Sequence, residues 1–304
     1  MLGRLLYAVR SKYRHGLRTA YYRDKVRTRI VNTPPVTNTV SKRCEIHTLT
    51  SASDWLNLLW ALKSFYYHSG SDYSLCIHDD GTLTHAAAAT LCRHFPKARF
   101  ITRSQADRAV LPVLSQYQKS QELRTSNTLA IKLFDFAHFL EADRMLLIDS
   151  DILFFSRPAE LIRRAEDSDY GLNTANRDVD SAYTVKPAAV AERFGFSLIP
   201  RFNSGLAVLQ RASLRMDWIE EFLHLPDVIG YFWRIEQTLF ALCSSRFGVE
   251  LLPPDYDVRL KGSLNGHPCR HYVGAIRHLM YAEGVRSLVR KGFLEDLDSS
   301  ACRN

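Results

Sequence analysis

Two aspartates one residue apart interrupt a run of apolar residues near the middle of the chain. The run extends from Met145 to Phe155 and contains Asp149 and Asp151. Short apolar runs of this kind form strands that are buried on both faces of a parallel sheet, where an unpaired carboxylate costs several kcal/mol. Because side chains at i and i+2 of an extended chain project to the same side, the two carboxylates can share a hard divalent cation. The pattern therefore predicts a cation site on this strand.

The surrounding sequence predicts a parallel sheet. Of the 304 residues, 46% are apolar, which is enough for a substantial core in one large α/β domain or two smaller ones. Extended segments are expected at 44–49, 74–78 and 98–102, and helices at 53–67, 85–94 and 127–140. Such alternation is typical of βαβ units. Ligands of open parallel sheets bind beyond the carboxyl ends of the strands, where the two aspartates are expected.

The positive charge of the chain is concentrated in one segment. Residues 1–30 contain nine Lys or Arg and one acid, which accounts for the whole net charge of +8. Apolar residues recur among these bases at helical intervals, which predicts a basic amphipathic helix. We expect this helix to bind an anionic membrane surface; the alternative is a solvated arm that docks on its own domain or contacts nucleic acid. No nucleic-acid partner is expected, since the rest of the chain is formally neutral.

Local composition predicts the domain boundaries and the cellular compartment. We expect a basic tail over 1–31, a linker rich in Pro and Thr over 32–43, a domain over 44–285 and a C-terminal tail over 286–304. The start of the sequence has no signal-peptide pattern, and no apolar stretch reaches the roughly 18 residues that cross a bilayer. The cysteines form no C-x-x-C pair. These features predict a cytoplasmic protein, peripheral on the cytoplasmic face of a membrane.

Several common ligand motifs are absent from the sequence. It contains no G-x-G-x-x-G, no G-x-x-x-x-G-K-[ST] and no H-E-x-x-H, so it lacks the usual motifs for dinucleotide binding, P-loop chemistry and zinc-peptidase chemistry. The feature left to interpret is the expected cation site on the two aspartates. Such a cation most often neutralises a diphosphate by acting as a Lewis acid on a leaving group. The expected ligand is therefore anionic.

The aspartate segment Ile148–Phe154 resembles the D-x-D motif of nucleotide-sugar-dependent glycosyltransferases with the GT-A fold, most closely those of family 8. Four further segments resemble this family in the same order, namely Lys132, Phe202–Leu209, Glu236-Gln237 and His271–Arg277. The resemblance extends over roughly residues 44–285. It implies a mixed, mainly parallel sheet flanked by helices, and transfer of a sugar with retention of anomeric configuration.

The resemblance also implies roles for particular residues. The expected metal ligands are Asp149, Asp151 and His271, a mixed oxygen and nitrogen set that suits Mn²⁺, with Mg²⁺ as the alternative. The expected donor is a nucleotide-sugar, with a UDP-sugar preferred, and the expected acceptor is a glycan or a lipid-linked molecule. The residues expected to bind substrate are Lys132, Asp149, Ser150, Asn203, Ser204, Gly205, Gly274 and Arg277. Those expected to be catalytic are Gln237, Glu236 and Asn203.

The sequence also departs from the family pattern. Arg277-His278-Leu279 stands where the family has Lys-Pro-Trp, and Glu236 replaces an Asp. The segment Asp79-Asp80-Gly81 is either a simple turn or a contact to a ribose or base. Two other functions stay open. One is a phosphatase of the haloacid dehalogenase type with Asp149 as nucleophile. The other is a catalytically inactive, membrane-recruited module that binds nucleotide-sugars.

Overall fold

A computed structural model describes residues 13–37 and 39–301 of the chain. Strands and helices alternate through most of this range. The strands are β1 Ser41–Thr50, β2 Tyr73–Asp79, β3 Arg99–Ile101, β4 Arg144–Ile148, β5 Ile152–Phe154, β6 Asn173–Arg177, β7 Phe202–Gln210, β8 Val249–Leu251 and β9 Cys269–His271.

The helices lie between and around these strands. The α-helices are α1 Gly16–Tyr21, α2 Trp55–Ser69, α3 His85–His94, α4 Arg103–Leu114, α5 Gln118–Ser126, α6 Ile131–Phe139, α7 Ala159–Glu166, α8 Pro187–Phe194, α9 Met216–Phe222, α10 Ile235–Phe247, α11 Arg277–Leu279, α12 Arg286–Arg290 and α13 Phe293–Ala301. Short 3₁₀ or π-helical turns cover Tyr22–Val26, Arg27–Asn32, Thr128–Ala130, Arg211–Ser213, Pro254–Tyr256, Gly274–Ile276 and Met280–Val285.

The main sheet is mixed and mainly parallel, as the sequence predicted. Its strand order is β3-β2-β1-β4-β7-β6-β8. Parallel pairing joins β1 to β2 and β4, β2 to β3, and β6 to β8. Strand β7 runs antiparallel to both β4 and β6. It therefore brings Asn203, near its start, close to the carboxyl end of β4.

Both faces of this sheet are buried. Along β4, Leu146 and Ile148 belong to one apolar core, and Met145 and Leu147 belong to the core on the opposite face. All four side chains are fully buried. This division follows from the alternation of side chains along a strand. It agrees with the expectation that an apolar run here forms a strand covered on both sides.

The apolar run around the aspartates is not one continuous strand. Strand β4 ends at Ile148 and β5 begins at Ile152, so Asp149 and Asp151 lie in a turn between two strands. The amide of Ile152 donates to the carbonyl of Asp149 at 3.2 Å, which closes this turn. Strand β5 then leaves the main sheet and pairs antiparallel with β9 in a separate two-stranded sheet. The prediction of a single strand was wrong because periodicity does not show where the chain changes sheet.

The segments outside the expected domain contribute to its core. Val26 and Ile30, within the stretch expected to be a tail, are buried in the same apolar core as Leu146. Phe293 and Leu294 pack into that core from the C-terminal side. The part of the expected basic helix that falls in residues 1–12 lies outside the described residues. Within the described ranges, every helix is too short or too polar to span a bilayer.

Candidate active site

A cavity of about 410 Å³ opens beside the turn between β4 and β5. One wall comes from the end of β1 and the loop that follows it, and another from the start of α6. Phe232 and Trp233, in the loop before α10, also line it. Of the residues expected to bind substrate or metal, the ones in the lining are Lys132, Asp149, Ser150, Asp151 and Arg277.

Asp149, Asp151 and His271 form a cluster of possible metal ligands at this cavity. Their ligand atoms all lie within 4.8 Å of one another. The pairing of β5 with β9 creates the cluster, because it places Ile152 opposite His271 and lets the amide of Tyr272 donate to the carbonyl of Asp151 at 2.9 Å. The Nε2 atom of His271 lies 3.1 Å from Oδ1 of Asp151. Two oxygen ligands and one nitrogen ligand suit a divalent cation.

Asp151 is at the centre of the ion pairs in this cluster. Burial disfavours its carboxylate, but His271 and Arg277 outweigh burial and lower the pKa of Asp151. Burial also disfavours a charged imidazole, but the Asp151 carboxylate raises the pKa of His271 above its ordinary value. A cation that binds Nε2 of His271 therefore competes with a proton for the imidazole.

Arg277 connects the cluster to the rim of the cavity. Its Nη2 atom lies 3.2 Å from Oδ2 of Asp151, and its Nη1 atom lies 3.4 Å from Oδ1 of Asp54. Burial alone would lower the pKa of Arg277, but the two carboxylates raise it. The guanidinium is thus held as a fixed cation at the cavity wall, where it can pair with an anionic ligand.

Lys132 connects the aspartates to helix α10. Its Nζ atom lies 2.6 Å from Oδ1 of Asp149 and 3.4 Å from Oε1 of Glu236. Burial would lower the pKa of the ammonium, but these two carboxylates raise it. Burial raises the pKa of Glu236, and Lys132 offsets part of that rise. The lysine is a buried cation shared by two acids.

Two side-chain amides lie behind the metal cluster, and both donate to Asp178. The Nδ2 atom of Asn203 and the Nε2 atom of Gln237 are 3.0 and 3.2 Å from Oδ2 of Asp178. This arrangement orients the Asn203 carbonyl towards Nδ1 of His271, 2.9 Å away. Asp178, Asn203, His271 and Asp151 therefore form one continuous polar chain. A hydrogen-bond partner on the second ring nitrogen, as Asn203 is here, fixes the ring orientation of a metal-binding histidine.

Strand β7 supplies two further residues next to these amides. The hydroxyl of Ser204 donates to Oε2 of Glu236 at 2.9 Å. The absence of a side chain at Gly205 makes room for His271, since a Cβ built on Gly205 would lie only 2.2 Å from Cε1 of the imidazole. The glycine therefore makes space for a neighbouring side chain within the site.

The structure brings most of the expected site residues together. Gly274 is placed differently, because it lines a neighbouring cavity of about 430 Å³ that shares Arg277 with the first. Asp80 lines the first cavity and also closes a turn, since its Oδ1 accepts a hydrogen bond from the amide of Thr82. The sequence reasoning missed Asp178, Asp54 and the aromatic pair Phe232 and Trp233. A polar residue directly after a strand, as Asp178 is after β6, was an available signal.

Comparison with solved structures identifies the fold. The chain is similar to mouse xyloside xylosyltransferase 1 in its apo form, with 13% identity and a TM-score of 0.53 over 80% of this chain and 99% of that one. It is similar to galactosyltransferase LgtC in complex with donor and acceptor sugar analogs, with 15% identity and a TM-score of 0.52 over 81% of this chain and 95% of that one.

A third similar structure is the apo form of the bifunctional glycosyltransferase WbbM, with 11% identity and a TM-score of 0.51 over 84% of this chain and 53% of that one. The sequence significantly matches no family profile and no curated protein. The structural likenesses show that the chain has the GT-A fold, as the sequence predicted. At such low identities, structural similarity shows the fold only. It does not show the activity, which depends on the side chains of the site.

Proposed function

We propose that this protein is a metal-dependent glycosyltransferase that moves a sugar from a nucleotide-sugar to a glycan or lipid-linked acceptor. The observation that carries the proposal is a single polar cluster, beside a cavity, in a chain with the GT-A fold. Its members come from segments far apart in the sequence, and the family resemblance had selected most of them in advance. They are Lys132, Asp149, Asp151, Asp178, Asn203, Ser204, Gly205, Glu236, Gln237, His271 and Arg277.

The charge balance of this cluster supports a divalent cation. Five carboxylates, on Asp54, Asp149, Asp151, Asp178 and Glu236, are connected to two fixed cations, Lys132 and Arg277. The cluster therefore carries excess negative charge, which a divalent cation would offset. We propose Mn²⁺ or Mg²⁺, held by Asp149, Asp151 and His271. When bound there, the ion would supply Lewis-acid stabilisation of a diphosphate leaving group.

The remaining side chains are suited to binding a donor. Arg277 is held as a cation at the cavity wall and can pair with a diphosphate as its charge grows. Oε1 of Glu236 is buried, and its contact within the described residues is the ion pair with Lys132 at 3.4 Å, so it can still accept a hydrogen bond from a sugar hydroxyl. Gln237 and Asn203 present oriented amides beside it. We propose that these three residues contact the transferred sugar, and that the reaction is retaining, as the family resemblance implies. A covalent intermediate and a same-face substitution both stay open.

A screen of nucleotide-sugars tests this function directly. Common UDP-, GDP- and other nucleotide-sugars are added with Mn²⁺, Mg²⁺ or a chelator, and thermal stability and donor hydrolysis are measured. A donor at about 100 times its Kd should stabilise the folded protein by about 2.7 kcal/mol, and only when a metal is present. We expect a UDP-sugar to give the largest effect. Absence of metal-dependent stabilisation by any donor would contradict the proposal.

The same screen separates the two alternatives. A haloacid dehalogenase-type phosphatase would release phosphate from a generic phosphate ester with Mg²⁺. The GT-A fold does not favour it, and Asp149, its required nucleophile, is paired with the buried Lys132 at 2.6 Å. An inactive binding module would instead show metal-dependent donor binding with no hydrolysis or transfer for any donor. Turnover of any donor excludes that module.

The contact between Gly205 and His271 gives a test of the metal site that needs no substrate. In Gly205→Ala, the new Cβ would collide with the imidazole at 2.2 Å, so His271 must move away from Asn203 and Asp151. We expect the affinity for Mn²⁺ to fall roughly 10- to 100-fold, as it does when the hydrogen-bond partner of a metal-binding histidine is removed. Titration of Mn²⁺ into nucleotide-free protein, followed by calorimetry, measures this effect.

Gly274→Ala is the matched control. A Cβ at Gly274 meets no atom within 4 Å, so this variant should bind Mn²⁺ as the wild type does. If Gly205→Ala also binds Mn²⁺ with unchanged affinity, His271 is not a ligand. A loss of donor affinity in Gly274→Ala, with Mn²⁺ affinity kept, would instead support close approach of the ligand to Gly274.

We also propose that residues 1–30 bind the enzyme to an anionic membrane surface on the cytoplasmic side. Tyr13, Leu17 and Tyr21, spaced four residues apart, are exposed, whereas Thr19 and Ala20 face the domain and are buried. The exposed arginines on this segment include Arg14 and Arg18. An apolar stripe between bases is typical of interfacial helices. The described cysteines are free thiols, which suits a reducing compartment.

Liposome flotation tests this membrane proposal. We expect the protein to float with anionic liposomes at low salt, to float less at high salt, and not to float with neutral liposomes. Leu17→Glu combined with Tyr21→Glu should abolish flotation without unfolding the protein, because both side chains are exposed. Val113→Glu, at an exposed position on α4, is the control. Equal flotation of all variants at any salt concentration would refute the proposal.

A further inference from the structure

A second group of metal-binding side chains lies inside the main sheet. His47 on β1 is the register partner of Cys76 on β2, and His78 follows Cys76 by two residues, so all three project from the same face. Their exposed fractions are 0%, 0% and 1%. None of the three belongs to the cluster at the cavity. Nothing in the proposed transfer reaction uses them.

The ligand atoms of this group converge on one point. Nδ1 of His47 lies 3.1 Å from Nε2 of His78, and Sγ of Cys76 lies 3.3 Å from the same Nε2 atom. All three atoms lie within 4.8 Å of one another. A tetrahedral ion with Zn–N of about 2.0 Å and Zn–S of about 2.3 Å separates its ligand atoms by roughly 3.3 to 3.6 Å. The observed spacings need to widen by only a few tenths of an ångström.

A carboxylate orients one of the two imidazoles. Oε2 of Glu45 lies 3.2 Å from Nε2 of His47, on the side of the ring away from the cluster. The other oxygen of Glu45 is fixed by Arg99 at 2.6 Å. A neutral His47 with its proton on Nε2, beside this carboxylate, has the lone pair of Nδ1 facing Cys76 and His78. Carboxylate–histidine–metal arrangements of this type are a regular feature of protein zinc sites.

We propose that His47, Cys76 and His78 bind a Zn²⁺ ion. Two imidazole nitrogens and one thiolate are the ligands that Zn²⁺ prefers, whereas the oxygen-rich set of Asp149, Asp151 and His271 suits harder ions. Cys76 would bind as the thiolate, with its proton released on metal binding. Because the ligands lie on neighbouring strands, the ion cross-links β1 and β2 beneath the cavity wall. This inference is independent of the proposed transferase activity.

Metal content and cobalt spectroscopy test the zinc site. Full-length protein produced with ample zinc should retain about one Zn²⁺ per chain after gel filtration. Replacement of Zn²⁺ by Co²⁺ should give a thiolate-to-cobalt charge-transfer band in the near ultraviolet. The cluster of Asp149, Asp151 and His271 cannot produce this band, because it contains no cysteine. The zinc content and the cobalt band should both persist in two control variants. Asp151→Asn changes the cluster at the cavity, and Cys243→Ser removes a buried thiol on α10.

Cys76→Ser should lose the cobalt band and lower the zinc content towards zero. If Cys76→Ser does not fold, the wild-type spectrum still tests for a thiolate ligand, because the other candidate site has no cysteine. Absence of both zinc and the band from the wild type would overturn the proposal. Zinc that persists in folded Cys76→Ser would overturn it as well.

Discussion

Asp151→Asn is expected to lower metal-dependent sugar transfer by roughly a thousandfold or more, the largest loss of activity expected for a substitution at this site. The carboxylate of Asp151 contacts both His271 and Arg277. An amide keeps the shape of the side chain but removes the charge that would bind the cation and hold the guanidinium. His271→Gln should produce a loss of similar size, because both variants remove a proposed ligand of the same ion.

Steady-state rates with the best donor, and Mn²⁺ affinity measured without a donor, check this prediction. Asp80→Asn is the matched control, since Asp80 lines the same cavity but lies outside the metal-ligand cluster. The control should keep its Mn²⁺ affinity. If Asp151→Asn weakens Mn²⁺ binding and His271→Gln does not, the ion is held by the aspartates alone. If neither variant weakens it, the metal site is wrong.

Lys132→Met is expected to destabilise the fold by roughly 3 to 5 kcal/mol, because it removes the partner of two acids that are largely out of water. Glu236 is only 3% exposed, and the side chain of Asp149 is 24% exposed. Without the ammonium, the folded protein must either bury these charges or protonate them. The expected free-energy loss can be measured by urea denaturation at neutral pH.

The pH dependence and a double variant distinguish lost charge from lost packing. In Lys132→Met the pKa of Glu236 should rise further above its unfolded value, so the folded state binds more protons than the unfolded state and stability should increase as the pH falls towards that unfolded value. Lys132→Met combined with Glu236→Gln should recover part of the stability at neutral pH. A double variant no more stable than Lys132→Met would show that packing, and not charge, causes the loss.

Sequence reasoning located most strands and helices up to residue 140, but it did not predict α4 and α5. The helix predicted over 53–67 is Trp55–Ser69, and the helix predicted over 127–140 is Ile131–Phe139 after a short 3₁₀ turn. Apolar periodicity and turn residues are local signals, which is why this part was accessible. The antiparallel placement of β7 could not be predicted from such local signals, because strand order depends on pairing between segments distant in sequence.

Prediction of the site residues from the sequence was limited in the same way. Asp149 and Asp151 were conspicuous as charges in an apolar run, and the family resemblance supplied the order of the other motifs. Asp178 follows a strand directly, but this position alone does not identify it, since its importance arises from hydrogen bonds to Asn203 and Gln237, which two other elements bring to it. The buried position of Val26 is a further example, because a basic segment does not reveal in its sequence which face packs on a domain.

The pairing of β5 with β9 has a consequence for how the protein acquires its activity. Ile152 and His271 are register partners, although more than a hundred residues of chain separate them. During synthesis the carboxylates emerge long before the histidine, and the contact between them can form only when the last third of the chain has left the ribosome and folded. A chain that lacks β9, or has not yet paired it with β5, would therefore lack the complete set of proposed metal ligands.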